Sequence, residues 1–349
     1  MDVKEWLKLG TVISTKAGQF LLGWGKRQWH SHPKNIGNAP CFYYPDYFLE
    51  NTHSWFTHEH FIEIDSSRLL DTLNQIPSSD PNPIKWNPIT SDFFAETFAQ
   101  LQHKFATQEL KKAVPFIFQC ANQSMSHPQL VLSLKNALKT MQNRKLHLYG
   151  FWGENVGMLG LTPEILFSFQ NSTTFETMAC AGTKSADANH DLLNDPKELE
   201  EHRLVVQGIT ESLRRYGQVS TGKLQLLELP KLTHLLTPIS VECKMNTSFV
   251  SLVEALHPTP ALGAFPIQAG MRWLKEYQQL INRRRFGAPV GYQWKDKNSH
   301  CFVAIRNVQW DEKQMMLGAG CGVVAASQLD REWSEINLKL QSIKDMLAL

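Results

Sequence analysis

The chain has 349 residues, of which 42% are apolar and 19% are charged, so it can bury a large core and is not expected to be disordered. Its 35 basic and 33 acidic residues give a net charge of +2, which argues against the strongly basic surface typical of nucleic-acid-binding proteins. The six cysteines have no C-x-x-C spacing, which argues against a zinc site and a disulfide framework.

The chain carries no segment that looks like a targeting signal or a membrane span. Its first residues, MDVKEW, contain no apolar run, and no stretch of about 18 uncharged apolar residues follows. We therefore expect a cytoplasmic protein that binds neither membranes nor nucleic acid.

The first 90 residues mix short apolar runs with turn-rich segments. We expect them to add strands to a core formed by residues 91–349, so that residues 1–349 make a single domain. Residues 76–87 contain three prolines and are the best candidate for a long surface connection. Residues 92–108 are predicted to form a helix, because apolar side chains recur there at spacings of three and four.

The next elements are mostly strands. The strand candidates are residues 113–118, 146–151, 156–161, 165–169, 301–308 and 315–324. Strands and helices are interspersed without strict βαβ alternation, which favours an α+β fold with large antiparallel sheets packed in layers and helices outside.

A second helix is predicted from Pro196 to about residue 216. Asp195 suits the N-cap, Pro196 suits the first helical position, and Glu198 completes a capping box. Gly217 suits the helix exit. The helix carries an acidic pair, Glu200 and Glu201, of which Glu201 lies at the edge of the apolar stripe.

The last predicted helix follows Ser327 and runs to the C-terminus, with Asp330 as a capping signal. Its apolar stripe comprises Trp333, Ile336, Leu340, Ile343 and Leu347. Glu332, Glu335 and Lys339 form a parallel stripe, which is most often a solvated salt-bridge face. A functional role is favoured here by the preceding glycine-rich segment, because glycine in a strand-like run often marks a close approach to a ligand.

Three further features allow a functional and a structural interpretation. Carboxylates from the two helices, Glu201 among them, can hold one Mg²⁺, or the helices can simply face solvent. Arg306 lies in an apolar run, so it either binds a substrate carboxylate or faces water from an edge strand. The step from Ala181 to Thr183 is either a backbone anion cradle or a turn.

The chain resembles the chorismate-binding enzyme family over residues 112–343, and within that family it is most similar to isochorismate synthases. The motifs that carry the resemblance occur in the family's order: TPE at 162–164, AGT at 181–183, DPKELEEH at 195–202, KLTHL at 231–235, HPTPALG at 257–263, AIR at 304–306, GAGCG at 318–322, and EWSE at 332–335 followed by Lys339. The resemblance implies an anthranilate synthase component I-like fold, chorismate as the substrate and Mg²⁺ as the cofactor.

The resemblance also implies a role for each matching residue. Glu201 and Glu335 would bind Mg²⁺ against the ring carboxylate of chorismate, and Arg306 would grip the enolpyruvyl carboxylate. Lys339 and the backbone at Gly320 would lie near the ring carboxylate. The remaining implied substrate-binding positions are Ala181, Gly182, Thr183, His234, Thr259, Phe286 and Ile305.

Two residues are implied to carry the chemistry, in which a nucleophile adds at C2 while the 4-hydroxyl leaves. Glu164 matches the acid that protonates the departing hydroxyl, and Lys112 matches the lysine that activates water. Such a lysine must be partly neutral near pH 7, which requires burial or cationic neighbours. The strand after Lys112 departs from the family pattern at Pro115, so a slip of one residue would select Lys111.

The product is predicted from the residues at two positions of the family motifs. The HPTPA form at 257–261 is the one seen in isochorismate synthases, and Ala181 stands where some aminating relatives carry a covalent lysine. Water is therefore the expected nucleophile, with no glutaminase partner. Salicylate formation, amination with a glutaminase and a non-catalytic chorismate-binding protein stay open, as do the pathway served (menaquinone, siderophore or salicylate) and the oligomeric state.

Overall fold

The structure is a computed structural model that describes residues 1–33, 39–77, 81–171, 173–186, 192–244, 247–294 and 299–349. Its helices are α1 (Val3–Lys8), α2 (Ser66–Asn74), α3 (Asp92–Ala106), α4 (His127–Thr140), α5 (Pro196–Leu213), α6 (Phe249–Leu256), α7 (Ile267–Leu280) and α8 (Leu329–Leu347). Its strands are β1 (Gly10–Lys16), β2 (Gln19–His30), β3 (Cys41–Tyr43), β4 (Trp55–Asp65), β5 (Lys112–Ala113), β6 (Phe116–Ala121), β7 (His147–Trp152), β8 (Gly157–Thr162), β9 (Ile165–Phe169), β10 (Thr174–Ser185), β11 (Gly217–Thr221), β12 (Gln225–Glu228), β13 (Leu232–Cys243), β14 (Ala264–Phe265), β15 (Pro289–Gln293), β16 (His300–Val303), β17 (Asn307–Trp310), β18 (Met315–Gly320) and β19 (Val323–Val324).

Most of these strands belong to one large antiparallel sheet. Its order is β11-β13-β10-β9-β16-β15-β3-β4-β2-β1-β7-β8-β17-β18-β6, with β12 paired to β13. The four N-terminal strands lie in the middle of this order, which confirms that residues 1–90 add strands to the same core. We therefore propose that residues 1–349 form one domain.

The large sheet curves back on itself, so that its two halves face each other. The rings of His147 on β7 and Phe302 on β16 stack with centroids 4.6 Å apart, although six strand positions separate them in the sheet. Aromatic and aliphatic side chains from both halves fill the space between them, including Tyr44, Phe56 and Tyr149. Helices α2, α5, α6 and α8 pack against strands β4, β10, β9 and β18 of this sheet, respectively, and the predicted α+β architecture is confirmed.

Helix α8 packs on β18 and α4 through the predicted apolar stripe. Ile336, Leu340, Ile343 and Leu347 are buried, and Trp333 is half-buried. The predicted cap is wrong, since Gln328 precedes the helix and no side chain caps it. The apolar stripe therefore determines which face of α8 packs against the core, and Glu332 is buried with that face.

The start of α5 is partly as predicted. Asp195 caps the helix, because its carboxylate accepts the backbone N–H groups of Lys197 and Glu198. The predicted capping box is wrong: the Glu198 carboxylate reaches the backbone N–H of Thr183 at 2.8 Å instead. Glu198 thus ties the helix to β10 rather than closing its own first turn.

Three predicted strands are interrupted, and the interruptions shape the pocket. Pro115, which has no N–H to donate, separates β5 from β6. Residues 301–308 do not form one strand. The first strand ends at Val303, and Arg306 adopts a left-handed backbone with φ of 55° before the next strand begins. Residues 321 and 322 likewise separate β18 from β19. The separated strands β5 and β19 pair with each other, and β14 joins β5 on its other side to complete a separate three-stranded sheet.

The remaining predictions can be compared briefly with the structure. The helix over 92–108 and the strands over 146–151, 156–161 and 165–169 are confirmed to within two residues. Of the predicted surface connection, residues 78–80 lie outside the described residues. All six cysteines are free. No helix in the described ranges is long and apolar enough to cross a membrane.

Candidate active site

An inner pocket collects most of the predicted site residues at the breaks between strands. Its predicted lining residues are Glu164, Ala181, Thr183, Glu201, His234, Phe286, Ile305, Arg306, Gly320 and Lys339. They come from β10, β13, β18, α5, α8 and the segments that join neighbouring strands. Residues from distant parts of the sequence therefore meet in one charged pocket.

Glu164 lies in the short connection between β8 and β9 and is 4% exposed. Its backbone N–H donates to the Thr162 hydroxyl at 3.1 Å, which holds the residue in the pocket wall. Burial raises the pKa of its carboxyl group to about 7, and the nearby cations Lys112, Lys339 and Arg306 oppose that rise. Glu164 is thus partly protonated at neutral pH, as a general acid must be.

Arg306 is buried and has no carboxylate partner among the described residues. Its Nη2 donates to Nε2 of His234 at 3.0 Å, whereas its buried Nη1 has no hydrogen-bond partner in the described part of the protein. Burial lowers the pKa of the guanidinium to about 10, so the group remains charged at neutral pH. A buried charged donor without a partner is costly, and an anionic ligand would satisfy it.

His234 links Arg306 to Thr183. Because arginine can only donate, His234 Nε2 must accept, and Nδ1 must carry the proton that reaches the Thr183 hydroxyl oxygen at 2.9 Å. Burial and the charges of Arg306 and Lys339 hold the pKa of His234 well below its usual value, which keeps the ring neutral. The Thr183 hydroxyl proton is consequently left to point at a ligand.

The Ala181-Gly182-Thr183 step forms a bulge in β10. Gly182 has φ of 80°, and the register against β13 shifts between Ala181 and Thr183. His202 contacts the carbonyl of Ala181 at 3.1 Å through Nδ1, which fixes the bulge from the side of α5. The bulge turns Ala181 and Thr183 towards the pocket, whereas Gly182 does not line it.

Lys112 is fully buried behind the pocket wall, whereas Lys111 is exposed. The Lys112 ammonium donates to the Pro260 carbonyl at 2.7 Å and lies 3.5 Å from Glu201 Oε1. Burial lowers its pKa, and the Glu201 carboxylate opposes that effect. Of the two lysines, only Lys112 has the surroundings that a neutral base requires.

Gly322 makes room for the contact between Lys112 and Glu201. A Cβ atom at this position would lie 1.8 Å from Glu201 Oε1 and 2.8 Å from Lys112 Nζ. Any side chain here would therefore displace both charged groups. This explains the third glycine of the GAGCG motif.

Next to the pocket, carboxylates of α5 and α8 share lysine partners. Lys197 Nζ lies 3.2 Å from Glu198, 3.1 Å from Glu201 and 2.9 Å from Glu332. Lys339 pairs with Glu335 at 2.5 Å and donates to the Gly320 carbonyl at 2.7 Å. We call Glu198, Glu201, Glu332 and Glu335 the carboxylate cluster.

The carboxylate cluster offers the hard oxygen atoms that Mg²⁺ prefers. Glu332 is 1% exposed, and its Oε2 has no hydrogen-bond partner within the described ranges, so a buried acceptor is left over. However, no three acidic, histidine or cysteine side chains of the described residues already converge as a metal site. The donor set thus fits a divalent cation, provided that the paired lysines give way.

Besides Gly182 and Lys112, two predicted residues do not line the inner pocket. Thr259 is buried, and its carbonyl accepts the N–H groups of Leu262 and Gly263, so it shapes the turn whose next residues line the pocket. Glu335 lines a neighbouring outer cavity rather than the inner pocket.

Sequence reasoning missed two charged residues near the pocket. Lys197 is one of them. It lies in the first turn of a helix, where the helix dipole disfavours cations, and this unusual position was a signal of a specific role. Arg283 is the other. It is 1% exposed and donates to the carbonyls of Leu262 and Val114, which joins the Lys112 segment to the turn that holds Pro260. No sequence signal separated it from Arg284 and Arg285.

Residues 46–348 match the family model described as chorismate binding enzyme. The chain belongs to the chorismate-binding enzyme family. Its membership confirms the resemblance seen in the motifs.

The relatives and solved structures agree with this assignment. Isochorismate synthase EntC of Escherichia coli is 33% identical over 202 residues, which cover 55% of this chain and 51% of that protein. The salicylate biosynthesis isochorismate synthase of Pseudomonas aeruginosa is 30% identical over 221 residues, or 60% of this chain and 45% of that protein. The chain thus spans about half the length of these curated relatives.

Two solved structures share the fold along nearly the whole chain. The menaquinone-specific isochorismate synthase MenF of Escherichia coli matches with a TM-score of 0.78 at 18% identity, covering 99% of this chain and 91% of that one. Anthranilate synthase component I of Streptococcus pneumoniae matches with a TM-score of 0.71 at 16% identity, covering 95% and 89%. The predicted anthranilate synthase component I-like fold is confirmed.

The hydrogen bonds of His234 predict its tautomer. We expect Nδ1 to be protonated and Nε2 to be unprotonated at neutral pH, because burial and Arg306 hold the pKa of the ring well below its usual value. Nitrogen chemical shifts from long-range ¹H–¹⁵N spectra of the ring would report this directly. A ring that titrates near its ordinary pKa of about 6.5 would contradict it.

The crowding at Gly322 predicts that Gly322→Ala lowers the free energy of unfolding by roughly 1–3 kcal/mol, the range typical of an overpacked core. Gly153→Ala is the matched control, since the nearest atom to its added Cβ would lie at 3.6 Å. Urea unfolding of both variants would measure the difference. Equal stability of the two variants would show that the Lys112–Glu201 contact can shift without cost.

Proposed function

We propose that this chain is an isochorismate synthase, which adds water at C2 of chorismate while the 4-hydroxyl group leaves as water. The observation that carries the proposal is a buried carboxyl and a buried lysine at one site: Glu164 lines the pocket, and Lys112 lies behind its wall. The pKa of the Glu164 carboxyl is raised to about 7, and that of the Lys112 ammonium is lowered. A protonated carboxyl and a neutral amine are the acid and base that this reaction needs.

In the proposed reaction, Lys112 takes a proton from the water that attacks C2. The ring double bonds shift, and Glu164 gives its proton to the oxygen that departs from C4. One water enters and one leaves, so substrate and product are isomers. Lys112 ends protonated and Glu164 ionised, and proton exchange with solvent restores both.

The charged groups of the pocket match a substrate with two carboxylates. We propose that Arg306 binds the enolpyruvyl carboxylate, because its Nη1 is buried without a partner among the described residues. Lys339, the Gly320 backbone and the Thr183 hydroxyl would face the ring carboxylate from the other side. Phe286 and Ile305 supply the apolar walls between them.

We propose Mg²⁺ as the cofactor, held by Glu201 and Glu335. When bound, it would neutralise the ring carboxylate and fix its orientation. The unpartnered Oε2 of Glu332 supports a cation in this region. The chain's own residues would still bind the substrate and move both protons.

Salicylate formation is a second candidate, because one relative is named a salicylate biosynthesis isochorismate synthase. Its name assigns isochorismate as that protein's own product, so we favour isochorismate here too. Amination is disfavoured by the buried Lys112, which suits activation of water, and no glutaminase partner is proposed.

We predict that the purified protein forms isochorismate from chorismate and Mg²⁺ without ammonium, as followed by chromatography. Lys112→Met should lower kcat by about 10²–10⁴, the usual contribution of a general base. Lys111→Met, one residue away but exposed, is the matched control and should change kcat little. Salicylate or an aminated product, or equal loss in both variants, would contradict the proposal.

The pKa of Glu164 predicts an alkaline limit to activity. Because the acid must carry its proton, kcat should fall as the pH rises through about 7, where the Glu164 carboxyl ionises. Glu164→Gln should lose turnover by about 10²–10⁴ while still binding chorismate, and Glu176→Gln on the exposed face of β10 is its control. A wild-type rate that is flat from pH 6 to 9 would refute the role of Glu164.

A further inference from the structure

Lys197 stands at the point where α5 and α8 face each other. Its ammonium touches carboxylates of both helices: Glu198 and Glu201 on its own helix, and Glu332 on α8. The side chain is 14% exposed, and the Glu332 side chain is 2% exposed. One ammonium group therefore bridges the two helices that supply the carboxylate cluster.

The charge of the carboxylate cluster depends on this bridge. Four carboxylates meet three lysine side chains: Lys112 contacts Glu201, Lys339 contacts Glu335, and Lys197 contacts Glu198, Glu201 and Glu332. Without Lys197, Glu332 would have no cationic contact among those that the structure shows. Buried carboxylates that lose their partner repel each other and destabilise the fold.

Lys197 contacts carboxylate oxygens of both helices, on Glu201 of α5 and on Glu332 of α8. A divalent cation bound there would take oxygens at about 2.0–2.1 Å, inside the contact distance of the ammonium. An ammonium and a dication that share the same carboxylates repel each other strongly at such short range. The two cations would thus compete for Glu201, which contacts Lys197 and is also one of the proposed metal ligands.

The surroundings give the Lys197 side chain a place to move. It borders an outer cavity of about 480 Å³ that also carries Asp195 and Asp330. The inner pocket is only about 60 Å³, and Thr183 lines both spaces. Lys197 therefore stands beside the junction between the inner pocket and the outer cavity.

We propose that Lys197 is an internal counter-cation, which holds the carboxylate cluster together in the metal-free protein and is displaced into the outer cavity when a divalent cation binds. The proposal rests on the proposed metal site and goes beyond it, since it makes metal affinity a competition with a residue of the chain. Lys197 is a positioning residue, because it acts through the carboxylates.

The test measures metal binding directly, in the absence of chorismate. Chelator-treated wild type, Lys197→Gln and Lys184→Gln are titrated with Mg²⁺ by calorimetry and with Mn²⁺ by electron paramagnetic resonance. Lys184 is the matched control, because it pairs with Asp195 at 3.0 Å outside the carboxylate cluster. The thermal midpoint of each protein is recorded without metal and with saturating Mg²⁺.

We expect Lys197→Gln to bind both metals about tenfold more tightly than wild type, because the competing charge is gone. Its midpoint should be lower than wild type without metal and should rise more on adding Mg²⁺. Lys184→Gln should do neither. Weaker or unchanged metal binding by Lys197→Gln would overturn the proposal, since Lys197 would then assist the metal or ignore it.

Two results separate this proposal from the proposed function. If wild type converts chorismate but Lys197→Gln binds metal as wild type does, only the role of Lys197 fails. If wild type binds no divalent cation, the metal site fails and Lys197 is a permanent partner. If Lys197→Gln folds only with Mg²⁺, the counter-cation role is supported. If Lys197→Gln folds neither with nor without Mg²⁺, Lys197→Arg takes its place in the test. Lys197→Arg must then keep the stability of wild type and bind metal no more tightly than wild type, or the proposal is wrong.

Discussion

The proposed active site depends on charge compensation between buried carboxylates and lysines where α5 meets α8. Glu201 is shared by Lys112 on one oxygen and Lys197 on the other, so it joins the proposed base to the carboxylate cluster. Removing one member of a buried ion pair typically costs about 3–5 kcal/mol, because the other charge stays buried. The position of Lys112, and hence its pKa, thus rests on the same contacts that hold the helices together.

Burial shifts the pKa values of the proposed acid and the proposed base in opposite directions. Burial disfavours charge, so it raises the pKa of Glu164 and lowers that of Lys112. Arg306 keeps its charge there, since its pKa falls only to about 10. Burial therefore favours a proton on Glu164 and disfavours one on Lys112, while Arg306 stays charged.

Sequence patterns predicted continuous elements well and their interruptions poorly. The apolar stripe of α8 and the cap of α5 followed from side-chain spacing and local hydrogen bonding, which are properties of neighbouring residues. The break before Arg306 did not, because its apolar neighbours predict one continuous strand, whereas Arg306 adopts a left-handed backbone. The same limit applies to Glu198, whose carboxylate accepts a hydrogen bond from the backbone N–H of Thr183 instead of capping its own helix.

The sequence by itself determined the family, the order of the motifs and most of the residues that line the pocket, because these are carried by short runs of residues whose identity is enough. The tertiary structure decided which of Lys111 and Lys112 is buried, since strand alternation points the two side chains to opposite faces and only packing shows which face is covered. It also decided that Lys197 joins the carboxylate cluster, because that contact requires α5 and α8, more than 100 residues apart in the chain, to meet in space.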